Sequence, residues 1–378
     1  MKILIVGAGI GGLTLGAFLK DSSIDFDIVE KSNNWNVQGF SLGLWNNGRH
    51  ILSKLGLADK FDKEGSRIHN YRICDGKGNL LLNYNLHEFY ALYGVAYTHI
   101  HRSSLHNWLL DLVGKEKVQL DAHIKSIQQK ERNIQVEFQT GEIKVYDLVV
   151  GADGIHSEVR SLIFKKEYEV FDNWRVWYAW IDNSYKQNAT VTEYIEPGEF
   201  IGVFDVLDKT LAVLIAPAKH GVWDDVKGRL IRLKNTFKDE SKLSGFFEGL
   251  KEEDIVPTDF SHVKMKTIVK DNVVLLGDAA HGFEPHAGLG ASMAMEDAYV
   301  LAGELMKISE TYSTKEALTT YQKVRKVRVA IARTLTNRMR AWAFIKSKWL
   351  RKCINLIIPF IPQTFITNQY NKLLREEI

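Results

Sequence analysis

The sequence predicts a mixed α/β fold in which a nucleotide-binding domain, built on a parallel sheet, is interrupted by an antiparallel-sheet domain. Two patterns support this prediction. Short apolar, β-branched runs at residues 2–6 and 273–276 are each followed at once by glycine, as in buried parallel strands. Between them, from about residue 165 to residue 266, short aromatic and β-branched runs alternate with turn dipeptides such as Pro197-Gly198, a pattern typical of antiparallel strands.

The 378 residues divide accordingly. Residues 1–165 and 267–325 are expected to form one discontinuous nucleotide-binding domain, and residues 326–378 a C-terminal helical segment. Residues 166–266 are expected to form a substrate-binding sheet domain with helices at Trp223–Phe237 and Ser241–Leu250. The chain is too long for one small core. Its hydrophobic content of 45% and charged content of 25% are ordinary for a globular protein, which argues against disorder.

The cysteine content bears on location and on metal binding. Cys74 and Cys353 cannot build a disulfide framework and do not have the spacing of a metal site, so a cytoplasmic location and no bound metal are predicted. The apolar run at the start of the chain is too short for a signal peptide. No stretch reaches the roughly 18 uninterrupted apolar residues that a membrane span needs.

The first glycine-rich segment has the setting of a dinucleotide-binding turn. It joins an expected strand at Lys2–Val6 to a helix at Leu13–Lys20, and a second strand at Phe26–Glu30 completes a βαβ unit. In such a unit the glycines permit the tight turn, the approach of the pyrophosphate to the backbone and the packing of helix on strand. N–H groups at the helix N-terminus then attract the phosphates. The glycines concerned are Gly7, Gly9, Gly11 and Gly12.

Two carboxylates narrow the choice of nucleotide. Glu30 ends the second strand, where it can bind the adenosine ribose and disfavours the 2′-phosphate of NADP. This unit alone does not separate NAD from FAD, and a glycine turn without a nucleotide is the alternative. Asp278 follows the late buried strand and can reach the same ligand from the far end of the chain. A ligand held from both ends of a domain is expected to be an extended FAD.

With three glycine motifs in this order, the chain resembles the class A flavoprotein aromatic hydroxylases, the family of para-hydroxybenzoate hydroxylase and the tetracycline-inactivating monooxygenases. The resemblance extends from residue 1 to about residue 330. It implies a Rossmann-like FAD-binding domain and a substrate domain whose sheet covers the flavin. The segments that carry it are Val6–Gly12 with Glu30-Lys31, Gly151–Arg160, and Leu275–His281 with Pro285, Gly288–Gly290 and Glu296–Ala298.

The resemblance also implies which residues contact FAD. Asp278 would bind the ribityl chain, the loop from Pro285 to Gly290 would lie along the isoalloxazine ring, and Arg102 would open a helix near the cofactor. Asp153 has two open interpretations, a cofactor contact or a helix cap, and Arg102 could instead form a surface ion pair. The expected cofactor contacts are Gly7, Gly9, Gly11, Gly12, Glu30, Lys31, Arg102, Asp153, Asp278, Gly288, Leu289 and Gly290.

The implied reaction is an oxygen transfer. In the family that the chain resembles, NADH or NADPH reduces the flavin, O2 adds to form a C4a-hydroperoxide, and one oxygen atom passes to the substrate. Because the cofactor performs the chemistry, no catalytic side chain is expected, and the sequence shows neither a Ser/His/Asp set nor a metal-binding spacing. His281 and His286 flank the flavin loop, either as proton-transfer groups or as histidines held by hydrogen bonds.

The substrate pocket is expected between the sheet domain and the flavin. Four residues at alternate positions, of which three are aromatic, share one face in a strand: Trp174, Val176, Tyr178 and Trp180. That face suits a flat substrate or, alternatively, ordinary sheet core. The segment Gly39–Asn46 is mostly apolar where the family often places a polar anchor, which favours an aromatic or polycyclic, largely apolar substrate. The candidate substrate contacts are Leu44, Tyr178, Trp180, Pro285 and His286.

Two alternative functions stay open. The first is a flavin-dependent halogenase or reductase of related architecture, because Trp177–Ile181 partly resembles a halogenase Trp-x-Trp-x-Ile-Pro signature, although Asp182 stands in place of the proline. The second is a non-catalytic FAD-binding sensor that docks a partner or a membrane. Substrate-stimulated oxidation of reduced nicotinamide separates an enzyme from a sensor.

The C-terminal segment is basic, with thirteen Lys or Arg and no Asp or Glu between Ala317 and Arg375. Apolar residues recur every three or four positions from Ile331 to Trp349, which predicts a long amphipathic helix. This helix could pack on the acidic body, cover the substrate entrance, or make a peripheral contact with the inner face of an anionic membrane. Nucleic acid is not an expected partner, because the rest of the chain is acidic and carries no reading motif.

Overall fold

The structure is a computed structural model that describes residues 1–35, 39–95, 97–131, 133–164, 169–237 and 246–374. The strands are β1 (Lys2–Val6), β2 (Asp25–Val29), β3 (Ser41–Leu44), β4 (Ser66–Arg67), β5 (Asn70–Asp75), β6 (Leu80–Asn85), β7 (Thr98–His101), β8 (Val118–Gln119), β9 (Ile124–Gln129), β10 (Ile134–Phe138), β11 (Ile143–Tyr146), β12 (Leu148–Gly151), β13 (Glu169–Ile181), β14 (Thr190–Glu196), β15 (Glu199–Val206), β16 (Lys209–Pro217), β17 (Val256–Val263), β18 (Val269–Lys270) and β19 (Val273–Leu275). The helices are α1 (Ile10–Leu19), α2 (Asn46–Lys54), α3 (Ala58–Glu64), α4 (His87–Tyr93), α5 (Arg102–Val113), α6 (Glu158–Phe164), α7 (Arg229–Thr236), α8 (Asp278–His281), α9 (Gly290–Met306), α10 (Thr314–Ala343), α11 (Lys348–Ile357) and α12 (Gln363–Leu374).

The first sheet has the strand order β18-β19-β12-β1-β2-β8, and all its neighbours are parallel except β18 and β19. Successive residues of β1 point to opposite faces, as strand geometry requires. Ile3 and Ile5 pack with α1, α5 and α9, whereas Leu4 and Val6 pack with the antiparallel meander β9-β10-β11. The mixed α/β class predicted from the sequence is confirmed.

A second sheet of seven strands has the order β17-β13-β16-β15-β14-β5-β6. It is antiparallel except where β14 runs parallel to β5. Two of its strands, β5 and β6, therefore come from residues 70–85, which the sequence-based division places in the nucleotide-binding domain. A parallel partner must be reached through a long connection, so the local sequence does not reveal it. Of the helix expected at Ser241–Leu250, residues 241–245 fall outside the described residues, and residues 246–249 form turns instead of a helix.

Up to residue 374, the C-terminal segment is formed by the end of α10 and by α11 and α12, whereas the sequence predicted one long helix. Helix α10 starts at a capping box, in which Ser313 and Glu316 bond to each other's backbone N–H. It ends at Ala343, and the Ser347 side chain accepts a hydrogen bond from the N–H of Leu350 to begin α11. Pro359 and Pro362 then separate α11 from α12.

Within the described ranges, no helix is both long and apolar enough to cross a membrane. Cys74 is buried, Cys353 is half-buried, and neither forms a disulfide within the described part of the chain.

Candidate functional site

The first glycine turn connects β1 to α1 and has one open side. Gly7 has a φ of +106°, and a Cβ on it would lie 2.5 Å from the carbonyl oxygen of Ala152. A Cβ on Gly12 would collide with the carbonyl oxygen of Gly7. A Cβ on Gly9, by contrast, would meet nothing within 4 Å. Among the residues that the structure describes, no side chain caps the start of α1, so its first N–H groups and its positive dipole end can meet an anion.

The three glycine motifs meet at the carboxyl ends of neighbouring parallel strands. Gly7 packs on Ala152, which follows β12, and a Cβ on Gly11 would lie 2.6 Å from Cδ1 of Leu276, which follows β19. The register of the sheet places Val6 opposite Gly151 and Gly151 opposite Leu275. This edge of a parallel sheet is where such folds bind nucleotides. Segments more than a hundred residues apart therefore form one surface.

Glu30 follows β2 beside this surface. Its Oε2 accepts a hydrogen bond of 2.9 Å from the N–H of Ala8, and its Oε1 accepts one of 3.0 Å from the N–H of Ser32. Glu30 thus fixes the glycine turn to the end of β2 in addition to its expected contact with ribose. Lys31 next to it is exposed.

Asp278 is the first residue of α8, on the same sheet edge. Its side chain is solvent-accessible, although the neighbouring Gly277, Ala279 and Ala280 are buried. Desolvation by the surrounding chain raises the pKa of the Asp278 carboxyl, and the positive charges of His281 and Arg102 partly oppose this. Gly290 lies beside Asp278, because a Cβ on Gly290 would stand 3.9 Å from Oδ1. The carboxylate and the N-terminus of α9 therefore face the same space.

Arg102 begins α5 and is exposed. It packs under the loop at Gly39, where a Cβ would lie 2.6 Å from Cδ of Arg102. Its charge acts on both Asp278 and Tyr178, so it links the predicted cofactor and substrate regions electrostatically. No ion-pair partner of Arg102 is found among the described residues, and the surface ion pair considered from the sequence is not seen.

Asp153 caps a helix. Its carboxylate accepts hydrogen bonds from the hydroxyl of Ser157 and from the N–H groups of Glu158 at 2.7 Å and Val159 at 3.1 Å, which begin α6. These contacts favour the capping alternative over a direct cofactor contact. Arg160 orients the same segment, since its guanidinium donates to carbonyl oxygens of Ile155 and Ala279.

The flavin loop from Pro285 to Gly290 contains one helical turn and then Gly288, with a φ of +62°. Leu289 is buried in the cluster that includes Trp45 and Met293, Pro285 is exposed, and the His286 side chain lies outside the described part of the structure. The indole Nε1 of Trp45 donates to the carbonyl oxygen of Ala287 at 3.2 Å and so holds the loop in place.

Asp297 and Glu296 on α9 hold the segment from Gly277 to His281 in place. Asp297 accepts hydrogen bonds from the N–H of Gly277 at 2.7 Å and pairs with Nε2 of His281 at 2.6 Å. Arg325 of α10 is fully buried and pairs with Asp297 at 2.5 Å and with Glu296 at 2.7 Å. Burial would raise the pKa of Asp297, but His281 and Arg325 outweigh it and lower the pKa to about 2. These contacts favour the alternative in which His281 is held by hydrogen bonds.

The expected substrate contacts separate into two groups. Leu44 is fully buried in the main core with Ile51 and Leu52, so the expectation that it lines the pocket is corrected: it completes the packing of β3 on the helices. Tyr178 and Trp180 of β13 are half-buried. The structure adds Phe40, whose ring lies 5.6 Å from that of Tyr178 and 5.5 Å from that of Trp180.

The face of β13 that carries Trp174, Val176, Tyr178 and Trp180 has two different environments along its length. Trp174 and Val176 lie in a core cluster with Phe200 and Ile215, so the sheet-core alternative holds for this half of the strand. On the opposite face, Trp177 donates from Nε1 to Asp224 at 2.9 Å. Only the end of β13 that carries Tyr178 and Trp180 faces Phe40.

A buried polar group that the sequence did not single out lies beside the flavin loop. Glu193 of β14 accepts a hydrogen bond from the hydroxyl of Tyr71, and burial raises the pKa of its carboxyl to about 7. Its charge acts on Tyr97, whose hydroxyl packs against the two glycines Gly43 and Gly288. A lone Glu in a strand carries no motif, so its position depends on the pairing of β14 with β5.

A second polar cluster joins the flavin loop to α10. Arg340 pairs with Asp172 at 2.8 Å and with Glu284 at 3.2 Å, and His262 Nδ1 lies 2.8 Å from Asp172. Asp172, His262 and Glu284 present donor atoms within 4.8 Å of one another, as a metal site would. The Arg340 guanidinium already supplies positive charge to both carboxylates, so the cluster is explained as an ion-pair link between β13, β17, the loop and α10.

Comparisons with known proteins agree with this geometry. The FAD binding domain family matches residues 1–336. Aurachin C monooxygenase/isomerase of Stigmatella aurantiaca is 29% identical over 328 residues, which cover 86% of this chain and 85% of that protein. 3-Amino-4-hydroxybenzoate 2-monooxygenase of Streptomyces cremeus is 29% identical over 354 residues, covering 87% and 84%. The solved structure of Klebsiella pneumoniae HpxO with FAD and uric acid superposes with a TM-score of 0.91 at 22% identity, covering 99% of this chain and 97% of that chain.

Proposed function

Because this chain belongs to the FAD binding domain family, in which its relatives are flavin-dependent aromatic monooxygenases, we propose that it uses NADH or NADPH and O2 to hydroxylate an aromatic or polycyclic, largely apolar small molecule. The observation that carries the proposal is the meeting of the three glycine motifs at the carboxyl ends of β1, β12 and β19. That edge is the site at which a parallel sheet binds a dinucleotide.

The residues present fit FAD. The open side of Gly9 and the uncapped start of α1 suit a pyrophosphate, and the accessible carboxylate of Asp278 suits the ribityl hydroxyls. Gly288 with its positive φ lets the backbone approach a flat ring. We propose that Gly7, Gly9, Gly11, Gly12, Glu30, Lys31, Arg102, Asp278, Gly288, Leu289 and Gly290 hold the cofactor, while Asp153 acts through its cap on α6.

FAD, when bound, would take electrons from reduced nicotinamide and activate O2, so that one oxygen atom passes to the substrate and the other leaves as water. The chain's own residues bind the cofactor, orient the substrate and exclude water from the site. The N-terminus of α9 and Arg102 can stabilise negative charge on the reduced ring. Phe40, Tyr178 and Trp180 offer aromatic faces to a flat substrate.

The alternatives are weaker. Asp182, where the halogenase signature has proline, accepts a hydrogen bond of 2.8 Å from the N–H of Ser184 and starts a helical turn. The relatives named above are monooxygenases, which also argues against a non-catalytic sensor. The cytoplasmic location stays a prediction.

The test is oxygen incorporation. The protein is purified with FAD, and oxidation of NADH and NADPH is followed with a panel of phenols, quinolones, tetracyclines and urate. A substrate is expected to stimulate oxidation, to consume equimolar O2 and to gain one labelled oxygen from 18O2. Slow oxidation that no compound stimulates, in a protein that carries FAD, would favour the sensor. Halide-dependent product formation would favour the halogenase.

Glu193 is proposed to accept the proton of a phenolic or enolic substrate, directly or through Tyr71. A base with a pKa of about 7 is well matched to this task near neutral pH. Its carboxyl pKa is raised, so the carboxylate is the predominant form only above about pH 7. The kcat/KM of the wild-type enzyme is therefore expected to rise through that pH, and Glu193→Gln is expected to lose roughly 100-fold at alkaline pH.

The pH profile separates this role from a structural one. At acidic pH the glutamine mimics the protonated carboxyl, so wild type and variant should converge there. Parallel profiles with a constant ratio at all pH values would show that Glu193 only supports the fold. Glu196→Gln, on the same strand, is the control and should keep the wild-type profile.

A further inference from the structure

Helix α11 has an unusual orientation, with a charged side chain buried against the protein and its apolar side chains exposed to solvent. Arg351 is 2% exposed, and its guanidinium donates to the carbonyl oxygens of Trp342 and Ala343 at 2.7 Å, where it caps the end of α10. Trp349, two residues earlier, is 74% exposed. The face that meets the protein is thus held by a buried arginine together with Ile354 and Ile358, which pack in a core cluster. The face that meets solvent is apolar.

The exposed side chains form one surface, here called the α11 patch. Trp349 and Leu356 are seven residues apart and share a helix face, and so do Leu350 and Ile357. Phe360, 82% exposed, continues the surface beyond the helix. Isolated exposed apolar residues are ordinary, but a contiguous group of them marks an interaction site.

The charge around the patch is of one sign. Lys348 and Lys352 lie on α11, are exposed, and have no carboxylate partner among the described residues. No Asp or Glu occurs between Ala317 and Arg375. Two carboxylates act on buried groups of this segment: Glu196 acts on the buried Arg351, and Glu88 accepts a hydrogen bond from the buried Thr367.

We propose that the α11 patch is a peripheral docking surface for an anionic phospholipid bilayer. Tryptophan and phenylalanine enter the boundary between headgroups and acyl chains, and flanking lysines pair with anionic headgroups. A second copy of this chain fits less well. A two-fold interface would place the patch against itself and bring Lys348 and Lys352 towards the same lysines with no acid to neutralise them. The proposal is independent of the flavin chemistry.

The test is sedimentation of the full-length, FAD-loaded protein with vesicles of phosphatidylcholine, with or without phosphatidylglycerol. Binding is expected only to the anionic vesicles and is expected to weaken with added salt. Lys348→Glu with Lys352→Glu is expected to weaken binding by at least about 30-fold, since each lysine near such a surface contributes about 1 kcal/mol. Trp349→Ala with Phe360→Ala is expected to weaken it by at least about tenfold.

Trp223→Ala is the matched control. Trp223 is 83% exposed but precedes α7, far along the chain from the patch, so its loss should leave vesicle binding unchanged. Failure of the wild-type protein to sediment with anionic vesicles would overturn the proposal. So would equal binding by the Trp349/Phe360 variant, or a patch variant that changes only the dimer content seen by light scattering.

Discussion

Arg325→Met is expected to lower the free energy of unfolding by about 3–5 kcal/mol, because it leaves Glu296 and Asp297 buried with one partner fewer. Arg325 is fully buried between these carboxylates, at 2.7 Å and 2.5 Å. Methionine keeps much of the packing volume, so the loss reports the missing charge. Urea unfolding followed by circular dichroism measures it.

Lys326→Met is the matched control, since Lys326 is the next residue of α10 and is exposed. Its effect should be small. Equal stability of the two variants would show that the buried network does not support the loop at Gly277. A pH series adds a second readout. The depressed pKa of Asp297, about 2, means that its contribution is complete above about pH 4 and is lost as pH falls towards 2. Without Arg325 the folded-state pKa of Asp297 should rise towards its unfolded value, so the contribution of Asp297 should be smaller and the pH dependence of stability shallower.

Gly9→Ala is expected to leave the apoprotein folded and to weaken FAD binding by about 10- to 100-fold. The methyl group meets no protein atom within 4 Å, and Gly9 has the ordinary φ of −77°, so the chain itself tolerates alanine. The same methyl group would stand where the pyrophosphate approaches the backbone, and overpacking of this kind costs about 1–3 kcal/mol. Titration with FAD by flavin fluorescence measures the change.

The control for this variant is Gly303→Ala, because Gly303 of α9 also has no atom within 4 Å of its Cβ position. It should bind FAD as the wild type does. The rise in Tm on addition of FAD should also be smaller for Gly9→Ala than for the wild type, since ligand binding stabilises only the folded state. Wild-type affinity in Gly9→Ala would refute the assignment of this turn to the pyrophosphate.

The hydrogen-bond partners of the polar site residues could not be predicted from the sequence and were found only in the structure. For Asp153, the bonds to the N–H groups of Glu158 and Val159, which favour a cap on α6, are found only in the structure. The partner of His281, Asp297 at 2.6 Å from its ring, is likewise found only in the folded chain. Leu44 is apolar, as a pocket residue for an apolar substrate would be, but strand β3 directs its side chain towards the main core. In each case the deciding partner comes from the three-dimensional arrangement of the chain, not from its spacing alone.

The sequence by itself determined the α/β class, the order of the glycine motifs and the FAD binding domain family. These depend on short-range patterns, in which an apolar strand, a glycine turn and a helix follow one another within about 30 residues. Three features were decided by the tertiary structure alone. They are the pairing of β5 and β6 with the second sheet, the burial of Glu193, and the exposure of the apolar side chains of α11. Each results from contacts between segments far apart in the chain, whose pairing sets which side of an element is covered and which meets solvent.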